Sequence, residues 1–194
     1  MAEPPSNSVH PRSRCEWRDW LESNHERAEG VWLITSKKAT GEPRVEYDEA
    51  VEEALCFGWV DSKPAKLDER RSMLYFAPRK AKSGWSGPNK QRVERAIADG
   101  RMTPAGLAKV EAARADGSWE KLDGVEAMEV PGDLAEALAR FPDAHRHFDA
   151  FPRSVRRGIL EWIVQAKRPE TRARRVEETA RLASENRRAN QWRP

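Results

Sequence analysis

The chain has 194 residues, of which 38% are hydrophobic and 35% charged, with a formal net charge of +3. This content allows one core or two small ones, and the near balance of charges over the whole chain does not argue for nucleic acid as a partner. No apolar run approaches the roughly 18 residues of a membrane span, and the amino terminus lacks the apolar stretch of a signal peptide. Cys15 and Cys56 form no paired motif, so we expect reduced thiols in a cytoplasmic protein.

The amino-terminal part predicts a tail followed by a capped helix. Residues 1–12 are rich in Pro and Ser and are expected to be disordered. Ser13 and Glu16 have the spacing of a capping box, which predicts a helix with Trp17, Trp20 and Leu21 on its buried face. We therefore start the first folded domain at residue 13.

Strands and a second helix follow. Residues 31–35 are β-rich and predict a strand, and a second strand is expected to include Val45 and Tyr47. Asp48 is the expected cap of a helix that ends at Gly58. Trp59 with Val60, and the alternating Leu74 and Phe76, predict a long-looped antiparallel hairpin whose polar connection covers residues 63–71.

The rest of the chain is expected to be helical. Helices are predicted from about Ser86 to Asp99 and from Thr103 to Asp116, each with Pro in its first turn. From Pro131 onward the apolar spacing is helical throughout. The prediction is an α+β fold: a domain at 13–123 with a small antiparallel sheet, a linker at 124–130 and an all-helical domain at 131–194.

Several short motifs resemble those of the bacterial YdeI/OmpD-associated, or bacteriocin-protection, proteins. In chain order they lie at residues 20–25, 30–33, 47–51, 56–61, 76–80, 83–89, 100–102 and 167–172. The resemblance extends over nearly the whole chain after residue 14. It implies an α+β part followed by a helical domain, with no established reaction or cofactor. It also implies a setting of stress or antimicrobial tolerance, inherited from the family's name.

The first candidate site surrounds the end of the hairpin. A helix amino terminus offers unpaired backbone donors, and a basic pair just before it suits an anion, with two indoles as flat walls. The predicted ligand-binding residues are Trp59, Asp61, Arg79, Lys80, Ser83, Trp85, Ser86 and Asn89. In the competing interpretation Ser86 and Asn89 only cap the helix, the tryptophans fill the core and the basic pair is solvated.

The second candidate is a basic surface in the carboxy-terminal part. Residues 131–194 hold 14 Lys and Arg against 9 Asp and Glu. The cations that could contact phosphates are Lys167, Arg168, Arg172 and Arg175. Interleaved glutamates at helical spacing favour an ordinary solvated face instead, so nucleic acid is the less favoured partner.

Other chemistry finds little support in the sequence. His145 and His147 diverge on a helix, and no Cys, His or carboxylate cluster has metal-ligand spacing. Cys56 lies at the wrong end of a helix for a reactive thiol, and there is no nucleotide-binding glycine motif. We predict no cofactor, no metal and no catalytic residue.

These observations give three functional hypotheses. The first is a non-enzymatic cytosolic protein that binds a small anionic or peptide ligand in the hairpin region. The second is a nucleic-acid-associated module that uses the basic carboxy-terminal helices. The third is an enzyme centred on Asp61 and the loop of Arg79, with Asp61 as a general base.

Overall fold

The computed structural model describes residues 3–191, and these divide into two compact units. The first unit contains the described residues through Ser83 together with Pro88–Gly117. The second contains Gly84–Gly87 and the described residues from Ser118 onward. The chain therefore enters the second unit briefly before it completes the first.

A four-stranded sheet forms the centre of the first unit. Its strands are β1 (Ser8–Val9), β2 (Val31–Ser36), β3 (Trp59–Lys66) and β4 (Arg71–Pro78), in the order β1-β2-β4-β3. β1 pairs with β2 in parallel, and the other pairs are antiparallel. The predicted strand at 31–35 and the predicted hairpin are confirmed, although the connection is shorter than expected because both strands extend into it.

The helix α1 (Arg14–Asn24) packs one of its faces on this sheet. Ser13 Oγ accepts a hydrogen bond from the Glu16 amide at 3.2 Å, as the predicted cap requires. Trp17 and Leu21 are fully buried, and the ring centroids of Trp17 and Phe76 are 5.3 Å apart. The predicted helix is therefore confirmed with two of the three residues of its buried face, whereas the third, Trp20, is half-buried and stacks on Trp17.

The helix α2 (Tyr47–Cys56) begins earlier than predicted, and the strand expected at Val45 and Tyr47 does not form. Glu46, rather than Asp48, is the cap: its carboxylate accepts from the helix, and Glu49 accepts from the Glu46 amide at 3.1 Å. Val45 and Ala50, both buried, occupy the two positions of a hydrophobic staple. The capping box and the staple favour a helix over a strand here.

A buried carboxylate ties α1 to α2. Glu53 is 1% exposed and accepts from Arg14 Nε at 2.7 Å and from Arg18 Nη1 at 2.6 Å, while Arg101 Nη1 lies 3.5 Å away. The neighbouring Glu52 pairs with the guanidinium groups of Arg14, Arg95 and Arg101. A buried charge is tolerated only when it is paired in this way.

Two further helices complete the first unit. α3 (Gly87–Ala98) and α4 (Pro104–Ala115) have the bounds that the sequence predicts to within two residues. Thr103 caps α4 and donates its hydroxyl proton to the Cys56 carbonyl at 2.7 Å. A Cβ at Gly106 would lie 2.2 Å from that carbonyl oxygen, so only glycine permits this close approach of α4 to α2.

The second unit is helical over the residues that are described. Its helices are α5 (Asp123–Glu126), α6 (Gly132–Ala139), α7 (Ala144–Ala150), α8 (Arg153–Val164) and α9 (Pro169–Ser184). Their shared core includes Leu134, Leu138, Phe148, Ile159, Ile163 and Ala180. The predicted α+β fold, with a sheet in the amino-terminal part and helices in the carboxy-terminal part, is confirmed.

Two predicted irregular segments contain regular structure. Ser8 and Val9 lie in the expected disordered tail but pair with Trp32 and Leu33, because the exposed edge of β2 offers them backbone partners. The expected linker at 124–130 overlaps α5, whose Val125 is 2% exposed and belongs to the second core. The ends of the predicted tail and of the predicted carboxy-terminal domain, residues 1–2 and 192–194, lie outside the described residues.

Candidate ligand groove on the sheet

One face of the sheet is covered by helices at one end and open at the other. Side chains of paired residues lie on the same face of a sheet, so the strand register defines three rows across β2, β4 and β3. We call them the covered row (Val31, Phe76, Asp61), the apolar row (Leu33, Leu74, Pro64) and the hydroxyl row (Thr35, Ser72, Lys66). Val31 and Phe76 are buried, whereas Thr35 and Ser72 are half-buried.

A groove of about 600 Å³ lies over the apolar and hydroxyl rows. This volume is within the range of small-molecule sites. The groove is bounded by the sheet, the segment before α2 and the first turns of α2. Its lining residues are Leu33, Thr35, Lys37, Arg44, Val45, Glu46, Tyr47, Ala50, Pro64, Ala65, Lys66, Ser72, Met73 and Leu74.

The polar lining of the groove is mainly cationic, with three basic residues against one carboxylate. Arg44 donates from Nε and Nη2 to the Glu46 carboxylate, at 2.9 and 2.7 Å. Lys66 pairs with Glu69, and both side chains are mostly exposed. Lys37 Nζ donates to the backbone carbonyls of Asp68 and Glu69, at 3.1 and 3.0 Å.

The hairpin turn holds Lys37 in place. Asp68 accepts from the amides of Arg70 and Arg71 at 2.9 and 2.8 Å, and from Arg71 Nη2 at 2.7 Å. These bonds to Arg71 lower the pKa of Asp68 to about 2. Because Lys37 binds the carbonyls of this turn, a rigid turn fixes the position of its ammonium group.

Tyr47 closes one side of the groove and is itself held by predicted site residues. Its hydroxyl donates to Asp61 Oδ2 at 3.2 Å, and the guanidinium of Arg92 lies 5.9 Å from its ring centroid. Arg92 in turn donates to Asn89 Oδ1 at 3.0 Å. Burial, and then the negative charge of Asp61, raise the pKa of Tyr47. The structure thus connects Asp61 and Asn89 to the wall of the groove.

The other predicted site residues of the first unit lie away from the groove lining. Trp59 is 1% exposed, and its Nε1 donates to the His25 carbonyl at 2.9 Å. Arg79 is also buried, which lowers its pKa to about 10 despite the opposing effect of Asp61. Ser83 donates to the carbonyl of the exposed Lys80 at 2.7 Å.

Trp85 and Ser86 belong to the second unit. Trp85 is 1% exposed and packs on Trp119, with ring centroids 5.0 Å apart, and Ser86 is half-buried immediately before α3. The burial of both indoles fits the competing interpretation, in which they fill cores. The ligand-binding role of the predicted set stays a prediction.

The predicted basic surface is partly engaged within the second unit. Arg172 pairs with Asp133 at 2.7 Å, and the guanidinium of Arg175 lies 4.8 Å from the ring centroid of Trp162 and donates to the Trp162 carbonyl. Lys167 and Arg168 are exposed. The phosphate-binding role of these four residues also stays a prediction.

The structure adds three observations on other chemistry. Within residues 3–191, no group of three or more His, Cys, Asp or Glu is placed to hold a metal ion. Burial raises the pKa of the Cys56 thiol, which keeps it protonated and unreactive. Over the same residues, no helix has the length and apolar character to cross a bilayer.

The groove itself was not predicted from the sequence. Its best signal is the pair of half-buried hydroxyl residues, Thr35 and Ser72, at strand positions where alternation predicts core side chains. This signal has meaning only once the register places the two residues opposite each other, 37 positions apart in the chain.

Comparisons with known proteins divide the chain into two matched regions. Residues 9–109 match the family described as "Domain of unknown function (DUF8412)". Residues 127–186 match the family described as "Bacteriocin-protection, YdeI or OmpD-Associated", which confirms the predicted family for that part of the chain. No curated protein and no solved structure matches the chain.

Proposed function

We propose that this chain, which belongs to the DUF8412 family and carries a YdeI/OmpD-associated region, is a non-enzymatic protein. It binds a small anionic or peptide ligand. The binding site is the groove on the sheet of the first unit. The observation that carries this proposal is the combination of a largely apolar lining with three basic residues against one carboxylate.

The lining supports binding by two different forces. An apolar ligand body over Leu33, Val45 and Leu74 would gain about 0.8 kcal/mol for each CH₂ group that it buries. The cations and hydroxyl groups add orientation, because they favour a ligand with a negative charge at one end. Neither force requires a cofactor.

The biological setting comes from the name of the matched carboxy-terminal family. That name refers to bacteriocin protection, so we propose a role in antimicrobial tolerance or a related stress. We propose the cytoplasm as its location because both cysteines are free thiols.

The two alternatives have weaker structural support. Nucleic acid binding through the carboxy-terminal helices would have to draw Arg172 and Arg175 away from Asp133 and Trp162. An enzyme centred on Asp61 would have to release that carboxylate from the Tyr47 hydroxyl.

A thermal-shift screen tests the proposed groove. The probes are inorganic anions, nucleotides, sugars, medium-chain carboxylates, short peptides and a random oligonucleotide, since a ligand that binds the folded state raises Tm. Thr35→Tyr places an aromatic ring in the groove, and Ser62→Tyr is its matched control on an exposed position of β3.

We expect at least one probe to raise Tm for the wild type and for Ser62→Tyr but not for Thr35→Tyr. An equal rise in Tm for Thr35→Tyr would mean that the ligand binds outside the groove. A screen in which no small molecule or peptide binds would overturn the proposed function, and a salt-sensitive shift with the oligonucleotide alone would favour nucleic acid.

A further inference from the structure

We infer that the groove recognises an amphipathic monocarboxylate, with its apolar body over the apolar row and its carboxylate at the hydroxyl row. This inference rests on the proposed function, because it specifies the ligand of the same groove. It goes further by stating the chemical class of the ligand and its direction along the strands.

The direction follows from a gradient of polarity along the sheet. In the apolar row Leu74 is half-buried and Pro64 is exposed, so these two side chains present hydrocarbon to the groove above the buried Leu33. Two residues further along β2 and β4, Thr35 faces Ser72 across the strands, and Lys66 follows on β3. A ligand lying along the strands therefore meets hydrocarbon first, then two hydroxyl groups, then an ammonium group.

The charge of the ligand head follows from the partners of the three cations. The guanidinium of Arg44 already donates from Nε and Nη2 to the Glu46 carboxylate, and these are the paired donors that a phosphate would need from it. Lys37 and Lys66 are point charges, and the bonds of Lys37 go to neutral carbonyls. Lys37 thus already uses two of its three N–H donors, and Lys66 is the lining cation whose partner is mostly exposed. One available positive charge beside two hydroxyl groups matches a head with a single negative charge, such as a carboxylate.

Lys66 is available to such a ligand at small cost. Its present partner, Glu69, is 87% exposed, and exposed pairs of this kind contribute little to stability. A carboxylate in the groove would replace that bond with one that is more shielded from water. The exchange gives the ligand head a partner on β3 while Thr35 and Ser72 hold it from β2 and β4.

Two sources offer this chemistry: a medium-chain fatty acid and the free carboxyl end of an apolar peptide. The titration by calorimetry uses sodium decanoate and 1-decanol as one pair. The second pair is the acetylated tripeptide Leu-Leu-Val with a free carboxyl group and the same tripeptide amidated. Within each pair the apolar body is the same, and the head is a carboxylate in one member and an uncharged polar group in the other.

The variants are Lys66→Gln and Thr35→Val, with Lys63→Gln as the control on an exposed position of the same strand. We expect the carboxylate of at least one pair to bind more tightly than its neutral analogue by about tenfold, which is the usual size of one charge-assisted hydrogen bond. Lys66→Gln and Thr35→Val should each reduce that difference by about threefold or more, and Lys63→Gln should leave it unchanged.

The pair that shows the difference identifies the source. Equal binding of carboxylate and neutral analogue, or equal binding by Lys66→Gln and Thr35→Val, would overturn the inference and leave the proposed groove intact. The inference also fails if neither carboxylate binds but another probe of the thermal-shift screen raises Tm for the wild type and not for Thr35→Tyr. The absence of any small-molecule or peptide ligand would overturn the proposed function as well.

Discussion

The two ends of one sheet face have the same backbone pairing and opposite character. At the covered row, Phe76 is fully buried against Trp17, and α1 is tied to α2 by the buried Glu53. At the hydroxyl row, Thr35, Ser72 and Lys66 bound a groove instead of a core. The difference shows that one continuous sheet can form a core at one end and a candidate binding site at the other. Two things decide which: whether the side chains of a row are apolar or polar, and whether a helix covers that row.

The largest effect on stability is expected when the aromatic ring of Phe76 is removed from the covered row. Phe76→Ala should lower the free energy of unfolding by about 3–5 kcal/mol, because it leaves a cavity under Trp17. Urea denaturation followed by near-ultraviolet circular dichroism measures the change. Tyr75→Ala, at a half-buried position of the same strand, is the control and should cost less. Equal costs would mean that the covered end is not the core of this unit.

Neutralisation of the buried carboxylate tests what holds the covering helices. Glu53→Gln should cost about 2–3 kcal/mol, since it leaves Arg14 and Arg18 without their shared negative partner. The partial exposure of both arginines keeps the cost below that of a fully buried pair. The same denaturation experiment measures it, with the exposed Glu111→Gln as control. A change within 0.5 kcal/mol, as at ordinary surface positions, would contradict this account.

We expect low pH to lower the stability of the protein through Asp68, which holds the hairpin turn at the open end of the sheet. The pKa of Asp68 is about 2 in the folded protein, below the 3.8 of the free side chain. Its contribution is therefore complete above about pH 4 and is lost as the pH falls toward 2. Asp68→Asn should be less stable than the wild type at pH 7, and the difference should shrink between pH 4 and 2. Parallel pH profiles, measured by thermal denaturation, would count against this role of the turn.

The smallest effect is expected at the hydroxyl row itself. Thr35→Val keeps the shape and β-propensity of the side chain and removes only a half-buried hydroxyl. The free energy of unfolding should change by no more than about 0.5 kcal/mol. A loss of more than about 1 kcal/mol in urea denaturation would show that this row is structural, and the contrast between the two ends would disappear.

Local signals in the sequence predict most of the elements of the fold. Ser13 with Glu16, and Thr103 with Pro104, mark helix starts by side-chain and backbone chemistry within one turn. The alternation of apolar residues around Leu74 and Phe76 predicts β4, because it too depends only on residues that are close together in the chain. The start of α2 was missed because the cap there is a glutamate, a residue outside the usual set of caps.

The candidate groove depends on relations that a single sequence does not contain. Thr35 meets Ser72 only through the register of β2 and β4, and Lys37 meets the hairpin turn only after that register is set. The predicted site was instead built from neighbours in the chain. Among these, Asp61 and Asn89 reach the groove wall through Tyr47 and Arg92, whereas Trp59 lies in a core.

Residues Gly84–Gly87 belong to the second unit although they precede most of it in the chain, and this limits where recombination can separate the two units. The two family matches leave residues 110–126 between them, and a crossover there would separate the two matched regions cleanly at the level of sequence. A crossover between residues 110 and 118 would also take Trp119 from one parent and Trp85, its packing partner, from the other. To keep this indole packing, the helical part must be inherited together with a tryptophan from the preceding region.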